Sequence, residues 1–344
     1  MKMFKTKPTW EQFEDLVRRI LEVNNFRIQS HSPRGDPGFD FLGILGNDQW
    51  AIEVKYYRTA RARPSLIESA AARVVNNGLR GGAQKGMLVI SSVLPSEMRL
   101  VLEEKFSISF ADRTDLRNYA STSPALAEEL DALLEADPDL VRDLSDRKEA
   151  PWNRSRSINE RQAPSPDTKG TELCTRLKDT KRGKQAWSQY EELCIDILKY
   201  LFPNDLQGWH AQKRTDDGVS RYDFVCRVRP MTEFWSFLVE HLNSRYIIFE
   251  FKNYVGKIKQ GQVLTTEKYL LERGLRKVAI VLTRTGADKN AFKMMQGAMR
   301  EHGKLMLVVD DKNLCRMLHM KEQGEDPTDC LFELADDFLL SLPR

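Results

Sequence analysis

The sequence predicts an α/β protein made of two copies of one fold, each with a mixed central sheet flanked by helices. Three observations predict it. A short hairpin at residues 39–55 ends in a group of charged side chains, and the segments around it follow the order α-β-β-β-α-β-α-β. The same order of motifs then returns in the second half of the chain. Alternation of this kind is typical of a mixed sheet covered by helices.

The hairpin has the sequence FDFLGILGNDQWAIEVK. Two apolar runs flank Gly46-Asn47, a pair that suits a two-residue type II′ turn. Counting outward from this turn places Asp40 opposite Glu53. Because side chains alternate between the two faces of a strand, Asp40, Glu53 and Lys55 are expected on one side. The other side is expected to be apolar, with Phe39, Phe41, Ile52 and Val54.

Two carboxylates this close indicate a cation site. Like charges disfavour the ionisation of both groups unless a cation lies between them. Oxygen ligands suit a hard divalent ion, which predicts Mg²⁺, with Mn²⁺ as a substitute. Asp36, in the preceding turn SPRGDPGFD, is a rival ligand, although turn aspartates commonly bond to their own backbone.

The second half of the chain repeats these motifs. WSQYEELCIDIL aligns with WEQFEDLVRRIL at an offset of 177, which places Glu191 on Glu14. RYDFVCRV and YIIFEFKNY then supply Asp223, Glu250 and Lys252 in the order of the first copy. KVAIVLT matches KGMLVIS, and LVVDDKNL matches ISFADRTDL. Four matching segments in one order predict tandem copies of one fold.

The two copies differ in one spacing. The acid and the glutamate are 27 residues apart in the second copy (250 − 223) and 13 apart in the first (53 − 40). The segment MTEFWSFLVEHLNS accounts for the difference. Its apolar residues fall on one helical face, which predicts local core or a dimer contact. These residues are Phe234, Trp235, Leu238 and Leu242.

Glu14 lies off the apolar stripe of the first predicted helix. Alone it suits a solvated acid in a first turn, where it complements the helix dipole. The matching Glu191 favours a different interpretation, a third carboxylate directed at the cation site. Gln262, in the helix that follows Lys252, is a weaker polar candidate. The apolar stripe consists of Phe13, Leu16, Val17, Ile20 and Leu21.

The predicted domains are residues 1–120, a linker at 121–185, and residues 186–344. The linker begins with an acidic helix at 124–144 and continues as an irregular, basic tract at 145–185. The other predicted elements of the first domain are strands at 26–29, 87–91 and 107–110 and helices at 65–77 and after residue 95.

The first copy resembles the Mrr-type restriction endonuclease domain, over about residues 8–120. The resemblance rests on FEDLV, GDPGFD, IEVK, KGMLVISS and the closing ISFAD-x-x-x-L. The acid followed by Glu-x-Lys resembles the PD-(D/E)xK nuclease motif, with Phe in place of Pro before Asp40. The second copy resembles a diverged restriction-endonuclease-like domain. The resemblance implies two restriction-endonuclease-like folds in tandem.

The resemblance also implies Mg²⁺-dependent hydrolysis of phosphodiester bonds in DNA, in restriction or anti-phage defence. The metal ligands would be Asp40, Glu53, Asp223 and Glu250. The lysines would orient or deprotonate the attacking water and offset developing charge. Glu14 and Glu191 would complete the outer metal shell or hold a second ion. The implied catalytic residues are Glu14, Asp40, Glu53 and Lys55 in the first copy and Glu191, Asp223, Glu250 and Lys252 in the second.

Two other functions stay open. A DNA-binding scaffold, in which one or both folds no longer cut, is one, because a fold alone does not establish activity. A repair or recombination nuclease that resolves DNA junctions is the other. DNA is the expected partner, and an NTPase or other defence-system subunit and a second copy of this chain are further candidates. No Gly-rich P-loop is present, so an NTP-driven step would need a partner protein.

Charge is distributed in blocks. Residues 147–185 carry 11 Lys/Arg against 5 Asp/Glu, a balance of +6, although the whole chain has a net charge of only +3. Such a tract either binds the phosphates of a nucleic-acid backbone or is a solvated linker. Arg58, Arg61 and Arg63 follow Lys55 closely and offer the same two interpretations, DNA binding or a solvated loop.

Composition points to a cytoplasmic, soluble protein. The chain is 41% hydrophobic and 30% charged, and no apolar run approaches the roughly 18 residues that span a bilayer. The five cysteines form no Cys-x-x-Cys pair, which predicts reduced thiols rather than a disulfide or a zinc site. They are Cys174, Cys194, Cys226, Cys315 and Cys330.

Overall fold

The computed structural model describes residues 9–30, 38–134, 150–153, 157–158, 165, 167–211 and 224–343. The chain divides into two compact units, Met1–Asp167 with Gln323–Glu325 and Thr168–Glu322 with Asp326–Arg344. In the part of the chain that the structure describes, each unit has one five-stranded sheet. Within the described residues, none of the helices combines the length and the apolar character needed to cross a membrane.

The first unit contains α1 (Thr9–Val23), β1 (Arg27–Ser30), β2 (Phe41–Leu45), β3 (Asp48–Lys55), α2 (Pro64–Arg80), β4 (Lys85–Ile90), α3 (Ser96–Phe106), β5 (Ser109–Ala111), α4 (Arg113–Ala120) and α5 (Pro124–Leu133). The second contains α6 (Lys169–Asp179), α7 (Trp187–Leu201), β6 (Leu206–Ala211), β7 (Phe224–Val228), α8 (Glu233–Glu240), β8 (Tyr246–Lys252), α9 (Gln260–Lys268), β9 (Val278–Thr283), α10 (Lys289–His302), β10 (Leu305–Val309), α11 (Asp311–Glu322) and α12 (Thr328–Leu340).

The two sheets share one strand order and one pattern of directions. In the first, β1, β2 and β3 are antiparallel neighbours, and β4 and β5 continue the sheet in parallel. In the second, β6, β7 and β8 are antiparallel, and β9 and β10 follow in parallel. The predicted fold class, two mixed sheets flanked by helices, is confirmed.

The hairpin of the first unit has the predicted register. Leu45 pairs with Asp48, and Phe41 pairs with Ile52. Gly46 has a φ of +63°, as the first central residue of a type II′ turn requires, and glycine adopts it without steric strain. Asp40 directly precedes Phe41, and its Oδ2 accepts a hydrogen bond from the backbone N–H of Val54, which holds it beside the end of β3.

Helices cover both faces of the first sheet. On one face, α1 packs with α4 and α5 over Trp50, Ile52 and Val54, and the predicted stripe of α1 is buried there. On the other, α2 and α3 pack over Ala51 and its neighbours. Phe39 joins this second cluster rather than the cluster of Phe41, which corrects its predicted side. It lies before the first residue of β2, where strand alternation does not apply.

One core supports the second unit. The inserted segment forms α8, and its predicted apolar face lies in that core rather than on the surface. Strand β9 is buried along its whole length, as expected for a parallel strand covered on both faces. The buried face of the insertion consists of Phe234, Trp235, Leu238 and Leu242.

The cysteine prediction is wrong for one pair. Cys174 in α6 and Cys315 in α11 form a disulfide, with their Cα atoms 5.1 Å apart. The other three cysteines are buried and free. This pair could not be predicted from the sequence, because its cysteines are 141 residues apart and belong to no spacing motif.

The prediction of irregular structure over 145–185 is also corrected in part. The described residues of this range include a 3₁₀ turn at Pro151–Asn153 and the helix α6. Helix α6 packs against α11, and Leu173 and Leu177 enter the core of the second unit. The sequence analysis missed α6 because this helix is rich in charged residues and directly follows a Pro- and Ser-rich segment.

Candidate active site

The first candidate site begins with a buried ion pair at the carboxyl end of β3. Glu53 is 1% exposed and Lys55 is 7% exposed. The Nζ of Lys55 lies 2.8 Å from Oε1 of Glu53. Burial of either charge alone costs several kcal/mol, so the partner compensates much of that cost. Burial by itself would lower the pKa of Lys55, but the Glu53 carboxylate raises it, so Lys55 stays charged.

Two further carboxyl groups approach this pair. Oδ2 of Asp40 accepts a hydrogen bond of 2.7 Å from the backbone N–H of Val54. Burial, reinforced by the charge of Glu53, raises the pKa of Asp40 to about 8. Burial also raises the pKa of Glu14, where Lys55 acts in the opposite direction and Glu53 adds to the increase. The structure therefore brings Glu14, Asp40, Glu53 and Lys55 within electrostatic range of one another.

The donor chemistry of this cluster fits a divalent cation. Asp40 and Glu53 offer hard carboxylate oxygens. Burial first, and the charge of Glu53 second, raise the pKa of Asp40, and a bound cation would favour its ionised form against both. Among the described residues, no three Asp, Glu, His or Cys side chains converge closely enough to hold one ion. Mg²⁺ is commonly held by one or two carboxylates and retains several waters, so a two-carboxylate site suits it.

The second unit repeats the ion pair at the same place. Glu250 is 2% exposed, and its Oε2 lies 2.6 Å from the Nζ of Lys252. Lys252 ends β8 and pairs with Thr283 of the parallel neighbour, as Lys55 pairs with Ile90 in the first sheet.

The carboxyl groups around this second pair are described only in part. Glu191 is buried in α7, which packs against β8. Asp223, like Asp36 of the first unit, lies outside the described residues. The fit of a cation in the second unit therefore rests on the Glu250 carboxylate and on the match to the first unit.

The three predicted phosphate-binding arginines lie between β3 and α2. Arg58 and Arg61 are exposed, and Arg63 is half-buried directly before α2. Ser91, the residue after β4, holds the start of this loop through two hydrogen bonds to Tyr57. Its Oγ accepts from the N–H of Tyr57 at 2.7 Å and donates to the backbone carbonyl of Tyr57 at 2.9 Å. Arg58 and Arg61 are therefore exposed cations on a loop whose first residues are held in place by Ser91.

Gln262 has a local role in the structure. Its Oε1 accepts a hydrogen bond of 2.9 Å from the N–H of Lys259 and so caps α9. A glutamine in this position of a helix is typical of a capping box. This contact accounts for Gln262 without a part in the site.

Arg284, which the sequence analysis missed, organises the surroundings of the second pair. It directly follows β9 and is buried. Its Nε donates to Asp311 at 2.8 Å, and Nη1 donates to the carbonyl of Thr180 at 3.0 Å and to Oδ1 of Asn253 at 3.3 Å. Nη2 donates to the carbonyl of Leu177 at 2.9 Å. The sequence feature that could have identified Arg284 is its position directly after the buried strand VAIVLT.

Asn253 extends this network to the ion pair, because it follows Lys252 directly. Its Nδ2 donates to the carbonyls of Lys181 and Gly183, each at 3.0 Å, and its own carbonyl accepts from the N–H of Gly183 at 2.8 Å. The loop between α6 and α7 is thus fixed to the carboxyl end of β8.

Comparison with known proteins identifies the class of the first unit. Residues 6–120, about a third of the chain, match the Mrr_cat family model, described as "Restriction endonuclease". This part of the chain is therefore similar to a restriction endonuclease domain. The match covers both strands of the hairpin and all four residues of the first cluster. It does not extend to the second unit.

A solved structure described as restriction endonuclease FokI is similar at 8% identity and a TM-score of 0.34, over 82% of this chain. This chain spans about half of that structure, 49% of its length. A search of the curated proteins found no match.

We predict energetic coupling between the buried partners. Glu53→Gln and Lys55→Met should each destabilise the protein. The first leaves buried Lys55 with the more exposed Glu325, at 3.3 Å, and the second leaves the buried Glu53 carboxylate without this cation. The double variant should lose less stability than the sum of the two, with a coupling energy of about 1–3 kcal/mol in a chemical-unfolding cycle. The exposed ion pair of Lys105 with Glu68 is the control and should couple by less than about 1 kcal/mol. Strict additivity at Glu53 and Lys55 would contradict the pairing.

Proposed function

We propose that this protein is a divalent-metal-dependent DNA endonuclease that hydrolyses phosphodiester bonds. Mg²⁺ is the proposed ion, with Mn²⁺ as a substitute, and restriction or anti-phage defence in the cytoplasm is the proposed role. The observation that carries the proposal is the cluster of Asp40, Glu53 and Lys55 inside the segment that matches the restriction endonuclease family.

In the first unit, Asp40 and Glu53 would hold the ion. When bound, a divalent cation neutralises phosphate charge and lowers the pKa of a nearby water. Lys55 is charged beside these acids, so it suits the stabilisation of negative charge that develops on the phosphate. Glu14 lies on a separate helix and would position water around the site. Arg58 and Arg61 would hold the DNA backbone next to it.

The second unit is proposed to cut as well. Glu250 and Lys252 occupy the same strand positions as Glu53 and Lys55, with the same parallel partner strand. A module that only bound DNA would gain nothing from a buried acid next to the phosphate, since the two repel. Glu191 and Asp223 are proposed to act with this pair as Glu14 and Asp40 act in the first unit.

Metal removal should abolish cleavage. Purified protein should nick or linearise supercoiled plasmid with Mg²⁺ or Mn²⁺ and should produce no cut DNA with excess chelator, because the acids alone repel phosphate. Agarose electrophoresis of the plasmid forms measures this. Gel shifts under chelation separate loss of binding from loss of cutting. Equal amounts of product with and without chelator would remove the metal mechanism.

Each unit should account for one nick. Lys55→Ala should lower cleavage by the first unit by about 10²–10³-fold, and Lys252→Ala should do the same in the second unit, because each removes a preorganised charge beside the phosphate. Quantified plasmid assays should then show nicked circles with either single variant and intact DNA with the double variant.

The control for these lysines is Lys85→Ala, which removes a lysine at the amino end of β4, away from the site. It should cut as the unaltered protein does. Chemical unfolding of each variant excludes loss of fold as the cause. Full double-strand cleavage by Lys252→Ala would show that the second unit binds DNA or dimerises without cutting.

A further inference from the structure

The second unit contains a cavity of about 780 Å³ at the carboxyl edge of its parallel strands. Arg284 follows β9 and Asp311 begins α11 just after β10, so both strands end at this cavity. Its wall continues along the end of α6 and the loop after it, and along one side of α11. Six cationic and two acidic side chains line the cavity, namely Lys178, Lys181, Arg182, Arg284, Lys312 and Arg316 against Asp179 and Asp311.

Three of these cations are available to a ligand. Within the described part of the chain, the side chains of Lys178, Lys181 and Lys312 form no ion pair, and all three are exposed. The arginines differ, since Arg316 bonds to Glu333 at 2.6 Å and Arg284 is engaged in the buried network. The lysines therefore form the part of the cavity that can bind an anion without breaking an existing pair.

The wall that carries these lysines is fixed to the neighbouring ion pair. The loop that follows α6 bonds to Asn253 through the carbonyls of Lys181 and Gly183, and to Arg284 through the carbonyl of Thr180. Asn253 directly follows Lys252. A ligand in the cavity meets a preorganised surface, which lowers the entropy lost on binding.

The position and the charge of the cavity indicate its ligand. Adjacent strands lie roughly 5 Å apart, so the ends of β9 and β10 are roughly 5–10 Å from the end of β8, where Lys252 lies. A DNA strand carries one charge about every 3.4 Å of helix axis, so phosphates near a scissile bond at Lys252 reach this distance. Eight of the eleven residues that line the cavity carry a charge, and six of these charges are positive, which favours an anionic ligand.

We infer that this cavity binds backbone phosphates of the nucleic acid that lies across the Glu250–Lys252 site, through Lys178, Lys181 and Lys312. The inference rests on the proposed function, because it takes DNA as the ligand of the second unit. It assigns the basic segment at the end of α6 to phosphate binding rather than to a solvated linker. Contacts of this type fix the register of the DNA and carry no sequence information.

The test is the salt dependence of DNA binding by the full-length protein. Fluorescence anisotropy with a labelled duplex, in chelator so that no cleavage occurs, gives the affinity across a series of KCl concentrations. Each lost phosphate contact reduces the magnitude of the negative slope of log affinity against log salt by about 0.9. Lys178→Ala/Lys181→Ala/Lys312→Ala should therefore make the slope less negative by about 2.7. The matching triple Lys→Arg variant should keep the original slope.

The charge-matched control is Lys268→Ala/Arg273→Ala/Arg300→Ala. These exposed cations lie on α9, on the loop before β9 and at the end of α10, toward the amino edge of the sheet. This variant also loses three positive charges, so a general loss of basic charge would affect it equally. It should keep the slope of the unaltered protein.

Three outcomes separate the alternatives. Equal slopes for the lysine triple variant and the control overturn the inference, even if the protein cuts DNA normally. Saturable binding of inorganic phosphate to these lysines, measured by calorimetry, with an unchanged DNA slope assigns the cavity to a small anion and also overturns it. A less negative slope in a protein that never cuts DNA supports the cavity and contradicts only the nuclease proposal.

Discussion

A buried glutamate beside the lysine two residues further on, at the carboxyl end of the central strand, is the interaction on which each unit depends. The lysine is buried in the first unit and partly exposed in the second. The separations are 2.8 Å for Lys55 with Glu53 and 2.6 Å for Lys252 with Glu250. Neither charge is stable alone in such surroundings, because desolvation opposes both. The two charges must therefore be buried together at the end of the strand.

The mixed sheet provides this arrangement. Its antiparallel hairpin carries Asp40 to the strand that holds Glu53, whereas its parallel strands place the ends of β3 and β4 at one edge. In the second unit the same edge holds Lys252, and Asn253 and Arg284 extend it toward a basic cavity. In the second unit, Glu250 and the lysines of the cavity thus lie toward one edge of the sheet, an arrangement that suits the phosphodiester substrate we propose.

Local patterns predicted much of this from sequence. The turn at Gly46 fixed the hairpin register, and helical spacing identified the buried stripe of α1 and the core face of α8, because these features depend on neighbours a few residues apart. The disulfide and the contact of Arg284 with Thr180 join residues 141 and 104 positions apart, and only the folded chain brings them together. Phe39 was misplaced because it lies before the strand whose alternation it was expected to follow.

The most direct test of the account is the number of divalent ions that the chain binds. Titration with Mn²⁺, followed by electron paramagnetic resonance of the free ion, should give two sites in the unaltered protein, one in Glu53→Gln or Glu250→Gln, and none in the double variant, because each glutamate supplies a ligand to its own site. Glu192→Gln, an exposed neighbour of Glu191, should retain both sites. An unaltered protein with no saturable site, or a double variant that still binds two ions, would contradict the account.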